Sequence, residues 1–433
     1  MKSPQNYIIP ERDDFGIQRA DMSLGLRRAS RYYNELVVPG IGGAWKVRHL
    51  SWAVTGIYLK QRMSTKNKYS SISIAHGIEA LGNKLEWSLT DIKDRAKLHL
   101  RGSQAFARSE NVWSFKDLCK KEFYVQITHR QQCTRALPLL TGLGFTDGSS
   151  RFNSMVLSKL GEDLAKSILL DNRPVPKEPN RLERMLQNWI LGAITIIAPT
   201  DGLKTELSPL SPTQDERKLV LGRLQSLVST SHQIGLRDSK RRERLVRFCV
   251  EKNIHDNEDW EDTDSLLEWL QSTSEGTIHA KDIKTAIAFE DMRLAGVSLL
   301  GGIAQLLGNA SDSLPVEDFV MNKIVIEGIR DLQAKTKIYQ ESVEHGNNGQ
   351  PDAVAFANEA TLNDLGVIRN LVKRDGRILT LDGELIHKGP VFRTGFHNAD
   401  ETEEDPDPVA HFTGRPNRLY QFISLWRDCY AQE

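Results

Sequence analysis

Apolar residues recur every three or four positions along most of the chain, so the pattern predicts helices first and strands in few places. Ala20 to Leu36 is one such stretch, basic and amphipathic, with Arg27, Arg28 and Arg31 between apolar positions. Val37-Val38-Pro39-Gly40-Ile41-Gly42-Gly43 breaks the pattern. Such glycines let backbone donors approach a phosphate, but no Lys-Ser or Lys-Thr pair follows them, and the run reads as a helix–helix turn. A helix from Ala44 to about Arg62 comes next, with Trp45, His49, Trp52 and Ala53 on one side. Tyr69 to Trp87 is another, its apolar positions Ile74, Ile78, Leu81 and Leu85, and Ala96 to Arg108 is a third.

The most informative stretch runs from Trp113 to Leu170. Thr128 is a good N-cap, Cys133, Ala136, Leu137 and Leu140 form one apolar stripe at helical spacing, and Gly142 ends the helix. The opposite face carries Arg130, Gln131, Thr134 and Arg135, side chains that can reach phosphates or base edges. Leu143 to Phe145, a turn at Asp147-Gly148 and a returning segment Arg151 to Leu157 predict a hairpin. Leu160, Leu164, Ala165 and Ile168 open the following helix.

Downstream, the Pro-rich run from Asp171 to Pro179 marks a boundary. Leu182 to Ile197 reads as a buried helix, and Ser211-Pro212 starts the next one. Arg237 to Arg247 is the densest basic patch, read as a solvated helix face ahead of a phosphate-tracking surface because acidic residues follow it. Lys281 to Gly308 is a long helix, Pro315 restarts one that runs to about Val343, and Asp352 to Lys373 makes a further one. Arg377 to Leu381, Asp382-Gly383 and Glu384 to Ile386 form the clearest hairpin in the sequence. Helix then hairpin repeats the order seen at 128–157, which admits a second module of the same type. An acidic linker at 400–408 precedes a terminal helix, 417–429, with Leu419, Phe422, Ile423 and Trp426 at helical spacing. Leu419, Phe422 and Trp426 must dock, on the chain's own body or on a partner.

The expected architecture is therefore mainly α and multidomain, with a C-terminal β-hairpin at 377–387. Its segments are 1–95, helical; 96–171, with the first hairpin; 180–310, helical; and 311–433, helical with the second hairpin. Leu139-Leu140-Thr141-Gly142-Leu143-Gly144-Phe145, the first hairpin, and Leu157-Ser158-Lys159-Leu160-Gly161-Glu162-Asp163-Leu164-Ala165 together resemble bacterial winged-helix regulators. The resemblance covers about 60 residues, within 96–170, and Pro138 departs from it, since proline removes a donor and kinks a helix. It implies a winged helix-turn-helix that binds double-stranded DNA. Arg130, Gln131, Thr134 and Arg135 would enter the major groove, and Arg151 on the wing would reach a phosphate.

Charge adds to this picture. The net charge is zero, yet residues 1–170 hold 26 Lys+Arg against 15 Asp+Glu, a net +11 balanced by −11 in the remainder. Basic charge thus accompanies the hairpin segment, as a nucleic-acid footprint would. The N-terminus lacks a continuous apolar run, so no signal peptide is expected, and no window is apolar enough for a spanning helix. Cys119, Cys133, Cys249 and Cys429 are scattered without metal or disulfide spacing, which points to a reducing, cytoplasmic setting. His279-Ala280-Lys281 starts like a phospholipase-D-type nuclease motif, but Ala286 stands where its aspartate is required. Asp382, Glu384 and Lys388 lack the one-face spacing of a metal-dependent nuclease, and His49 and His76 read as ordinary helix residues. No catalytic, metal-binding or cofactor residue is assigned. The expectation is a non-enzymatic DNA-binding protein, a regulator or DNA-recognition subunit. Its alternatives are an enzyme with an unfamiliar site, and a helical scaffold or accessory subunit in a bacterial phage-defence or mobile-element complex. The scaffold would bind an ATPase or nuclease partner, or a second copy of itself, through its acidic C-terminal part.

Overall fold

Helical periodicity governs the three-dimensional structure, a computed structural model. It describes residues 24–430 except 40–43, 45, 64–67, 96–97, 99, 101–102, 110, 121–142, 148–151, 170–180, 226–239, 255–262, 310–311, 347–348, 391 and 393–416. Among the described residues there are eighteen α-helices and five short strands. They form two compact units. The smaller draws its described residues from within Met1–Arg28, Met292–Thr336 and Asp352–Asn398, the larger from Ala29–Asp291, Lys337–Pro351 and Ala399–Glu433.

The larger unit begins with α1 (Arg27–Val37), α2 (Val47–Arg62) and α3 (Ser71–Ser88), followed by the short helices α4 (Ile92–Arg95), α5 (Ser103–Arg108) and α6 (Phe115–Leu118). Strands β1 (Thr146–Asp147) and β2 (Val156–Leu157) precede α7 (Lys159–Leu169), α8 (Arg181–Leu191), α9 (Asp201–Leu207), α10 (Gln214–Gln225), α11 (Arg241–Glu251) and α12 (Thr263–Gln271). Helix α13 (Ser274–Asn309) contributes to both units, as does α15 (Lys323–Gly346).

Helices α2 and α3 form the centre of the larger unit. From Val47 to Leu59 every residue of α2 except His49 is buried, and α3 is buried from Ile74 through Trp87. Burial is therefore not confined to the side that carries His49, Trp52 and Ala53. Helix α3, α7, α10 and the terminal helix α18 (Asn417–Tyr430) all pack against α2, so its polar side chains have to be satisfied inside. Arg48 donates to the Glu206 carbonyl at 2.6 Å and to the Ser211 carbonyl, and pairs with Glu216 at 3.2 Å. On α3, Lys84 donates to the carbonyls of Ser109 and, at 2.7 Å, of Val112. Glu86 accepts from Ser208 at 2.5 Å and pairs with Lys204 at 3.1 Å.

Helix α18 completes this core. Leu419 and Ile423 are 2% exposed, and Phe422 and Trp426 are 0% exposed. The Asp428 carboxylate accepts the backbone N–H of Val47 at 2.6 Å and so caps α2, whose own N-cap Lys46 makes no side-chain cap. The Arg418 side chain pairs with Glu35, and its backbone N–H donates to Asn34 at 3.0 Å. The tail is therefore docked on its own chain, and Leu419, Phe422 and Trp426 leave no surface in this arrangement for a partner.

In the smaller unit β3 (Ser313–Pro315) leads into α14 (Val316–Val320), then α15, α16 (Pro351–Ala360), α17 (Asp364–Asp375), β4 (Leu379–Asp382) and β5 (Leu385–Lys388). The single helix expected from Asp352 to Lys373 is broken at Thr361-Leu362-Asn363, because Asn363 Oδ1 accepts the Gly366 amide at 2.9 Å and starts a new helix. The Asp375 carboxylate then accepts the amides of Ile378 (2.8 Å) and Leu379 (2.9 Å), turning the chain into the predicted hairpin. The antiparallel sheet has the order β3-β5-β4, with Leu314 opposite Ile386 and Leu381 opposite Ile386 on the other side. Strand β3 stands immediately before the helix expected to restart at Pro315. It lies at the sheet edge, where a proline costs no ladder bond.

Candidate nucleic-acid interface

The first hairpin is present in short form. Thr146 pairs with Leu157 and Asp147 with Val156, antiparallel. The strand expected at Leu143–Phe145 thus begins three residues later, at Thr146, and part of the returning segment is a 3-10 turn at Phe152–Ser154. Phe145 and Phe152 are buried while Val156 is 57% exposed, the alternation that one covered face imposes. Ser158 joins strand to helix: its Oγ donates to the Gly144 carbonyl at 2.7 Å and accepts the Gly161 amide at 3.2 Å. Gly161 is obligatory here, since a Cβ would stand 1.9 Å from the Phe145 carbonyl oxygen. Asn153 accepts the Ile72 amide at 3.0 Å, fixing the hairpin to the start of α3.

Arg130, Gln131, Thr134, Arg135 and Arg151, the residues assigned to base and phosphate contact, lie outside the described residues, as does the glycine run at 40–43. One arginine that the sequence did not single out does reach the base of the hairpin. Arg223 of α10 donates from Nε to the Leu143 carbonyl at 2.5 Å, close to Gly144, whose φ is +83°. A Cβ at Gly144 would meet Arg223 Nη2 at 2.8 Å, so a larger residue would push the end of that side chain aside. Local pattern offered no signal for it, because Arg223 is one of several charged residues along its helix.

Of the described residues in the basic patch at 237–247, Arg241 and Arg244 are buried while Lys240 and Arg247 are exposed. Arg241 is buried against Asp282 and the Leu36 carbonyl, Arg244 pairs with Glu275 at 2.6 Å, and Arg247 pairs with Glu243. The described part of the patch is therefore a solvated face at Lys240 and Arg247 only. His279 lies beside this cluster, with Nε2 2.9 Å from the Val37 carbonyl, and burial followed by the Arg241 charge lowers its pKa to about 3. It is a neutral core histidine, not an acid–base group for neutral pH. The thiols of Cys249 and Cys429 are buried and pushed upward in pKa by that burial, which keeps them protonated and unreactive. Among the described residues no three His, Cys, Asp or Glu side chains are grouped to hold a metal, and no helix is long and apolar enough to cross a membrane. No family model, curated protein or solved structure matches the chain.

Proposed function

We propose that the protein binds double-stranded DNA without chemistry on it, as a regulator or DNA-recognition subunit, through the segment 113–169. The observation that carries this reading is the antiparallel pair Thr146–Asp147 with Val156–Leu157, running through Ser158 directly into α7. That is where a winged helix has its wing, and it lies in the part of the chain that holds 26 basic against 15 acidic residues. The test is a fluorescence-anisotropy titration of the full chain with duplex DNA at several salt concentrations. Non-specific binding on the order of 10⁻⁴ to 10⁻⁶ M at physiological salt is expected, weakening steeply as salt rises. Arg130→Ala or Arg135→Ala should cost about 1–3 kcal/mol on a preferred sequence, and Arg151→Ala should weaken all sequences alike. A folded chain that does not bind duplex at about 50 mM salt, where phosphate contacts are strong, sinks the reading.

A separate observation favours protein contact for the smaller unit. Its sheet order, β3-β5-β4 with α17 leading into the hairpin, is also the strand order of a winged helix. Its charges, however, do not suit a phosphate backbone. Arg369 pairs with Glu384, Arg374 with Glu359 at 2.5 Å, and the hairpin turns through Asp382-Gly383-Glu384. Leu362, between α16 and α17, is 46% exposed and Leu385 on β5 is 40% exposed. Under this reading Leu362→Ser with Leu385→Ser leaves duplex affinity unchanged; a fall in affinity would reassign the unit to DNA.

A further inference from the structure

Apolar spacing reads Leu182 to Ile197 as one buried helix, yet α8 stops at Leu191 and the apolar residues continue in the open. Leu191 is 52% and Ile196 63% exposed, and Ala193, Thr195, Ala198 and Pro199 are exposed as well. No charged side chain occurs from Leu191 to Thr200. The segment is nevertheless fixed in place. Gly192, at φ +83°, ends the helix, and the Ile194 amide donates to the Asn188 carbonyl at 3.1 Å. Ile197 is buried, and its amide donates to the Trp113 carbonyl at 3.4 Å, which also accepts from Trp189 Nε1 at 2.9 Å. Thr200 Oγ1 then accepts the Leu203 amide at 3.2 Å and starts α9.

We propose that this loop, residues 191–199, is the contact through which two copies of the chain associate, each loop lying antiparallel to its twin. Two observations choose a second copy as the occupant. The first is the main chain between the anchors. Among the described residues, no hydrogen bond involves the backbone of Thr195, Ile196 or Ala198. An exposed, uncharged segment rich in β-branched residues, with its backbone groups open, is a template for pairing with another strand. Gly192 and Pro199 bound the segment, and proline has no N–H to extend the ladder, so the pairing stays short. The second observation is charge. A two-fold contact sets a patch against itself, so any charge in it meets its own like, and this patch holds none. A lipid surface is served less well, because no Lys or Arg lies between Met185 and Leu203 to meet anionic headgroups. The contact is independent of the DNA reading.

Sedimentation velocity of the full chain over a concentration series tests it. The parent should dimerise reversibly, and Ile196→Asp should weaken dimerisation at least about tenfold, because two carboxylates then face each other. Ile196→Lys should weaken it likewise, and mixing the two variants should restore it, since opposite charges then meet. Ile196 lies mostly in solvent, so both variants should keep the parent's melting temperature. Should a charged variant fail to fold, Ile196→Ser decides, and undiminished dimerisation there overturns the proposal. A parent that stays monomeric overturns it too, as does a dimer indifferent to both charges or a mixture that fails to recover. A monomeric parent that co-sediments with phosphatidylcholine vesicles, and loses them on Ile196→Asp, gives the loop to a lipid surface instead.

Discussion

At the scale of residues, the interior of the larger unit is held by charges that cannot be removed singly. Arg48 and Glu216 both have 0% side-chain exposure, and Arg48 also donates to two carbonyls. Burial pulls the Arg48 pKa downward while Glu216 raises it, so the carboxylate is what keeps the cation tolerable. Glu216→Ala should destabilise by about 3–5 kcal/mol in a urea titration, since it leaves a buried charge unpaired. A loss under about 1 kcal/mol, the scale of a surface pair, would show that solvent reaches Arg48. His279 sets a second expectation, for pH. Its folded pKa of about 3 lies below the ordinary 6.5, so the unfolded chain takes up the proton first as pH falls. The stability it contributes is complete above pH 6.5 and is lost toward about pH 3, with a slope of up to about 1.4 kcal/mol per pH unit. His279→Gln should flatten the acid limb of the stability curve. Parallel curves for parent and variant between pH 7 and about 4.5 would show that His279 titrates alike in both states.

Elements were the level best read from sequence. Periodicity located α3, α7, α13 and α18 within a few residues at most ends, and turn chemistry located both hairpins. What escaped has a physical reason in each case. Strand β3 is three residues long, too short to display a period of two. The break between α16 and α17 depends on the single Asn363 cap within an otherwise continuous apolar pattern. All-round burial of α2 is imposed by the neighbours that surround it, and its own spacing of Trp52 and Ala53 suits one covered side equally well. Of the proposed contact set, none of the five sequence-assigned residues lies in the described part, while Arg223 emerges only from tertiary proximity to Gly144. The docking of α18 yields its own prediction. Trp426 is 0% exposed and rests against Phe422, so Trp426→Ala should cost about 3–5 kcal/mol and lower the melting temperature of the full chain. Unchanged melting would mean that the tail is detached in solution.

For the whole molecule, enclosure of α2 and α3 has a kinetic consequence. Their amides sit under neighbours on every side, and α2 is additionally stoppered at its start by Asp428 from the far end of the chain. A solvent deuteron can reach such amides only when α18 or another covering helix leaves, and fraying of α2 itself does not suffice. Hydrogen exchange should therefore be slowest at Leu50 to Tyr58 and Ile74 to Leu85, at rates that report opening of the larger unit as a body. Truncation before Asn417 should speed exchange across α2 first, by exposing its first turn, while amides of β4 and β5 keep their rates. Uniform exchange along α2 and the solvent-facing helix α12 would contradict it. Residence time in the closed state, more than any single contact, is thus set by α18, which lies far along the chain from the helix it covers.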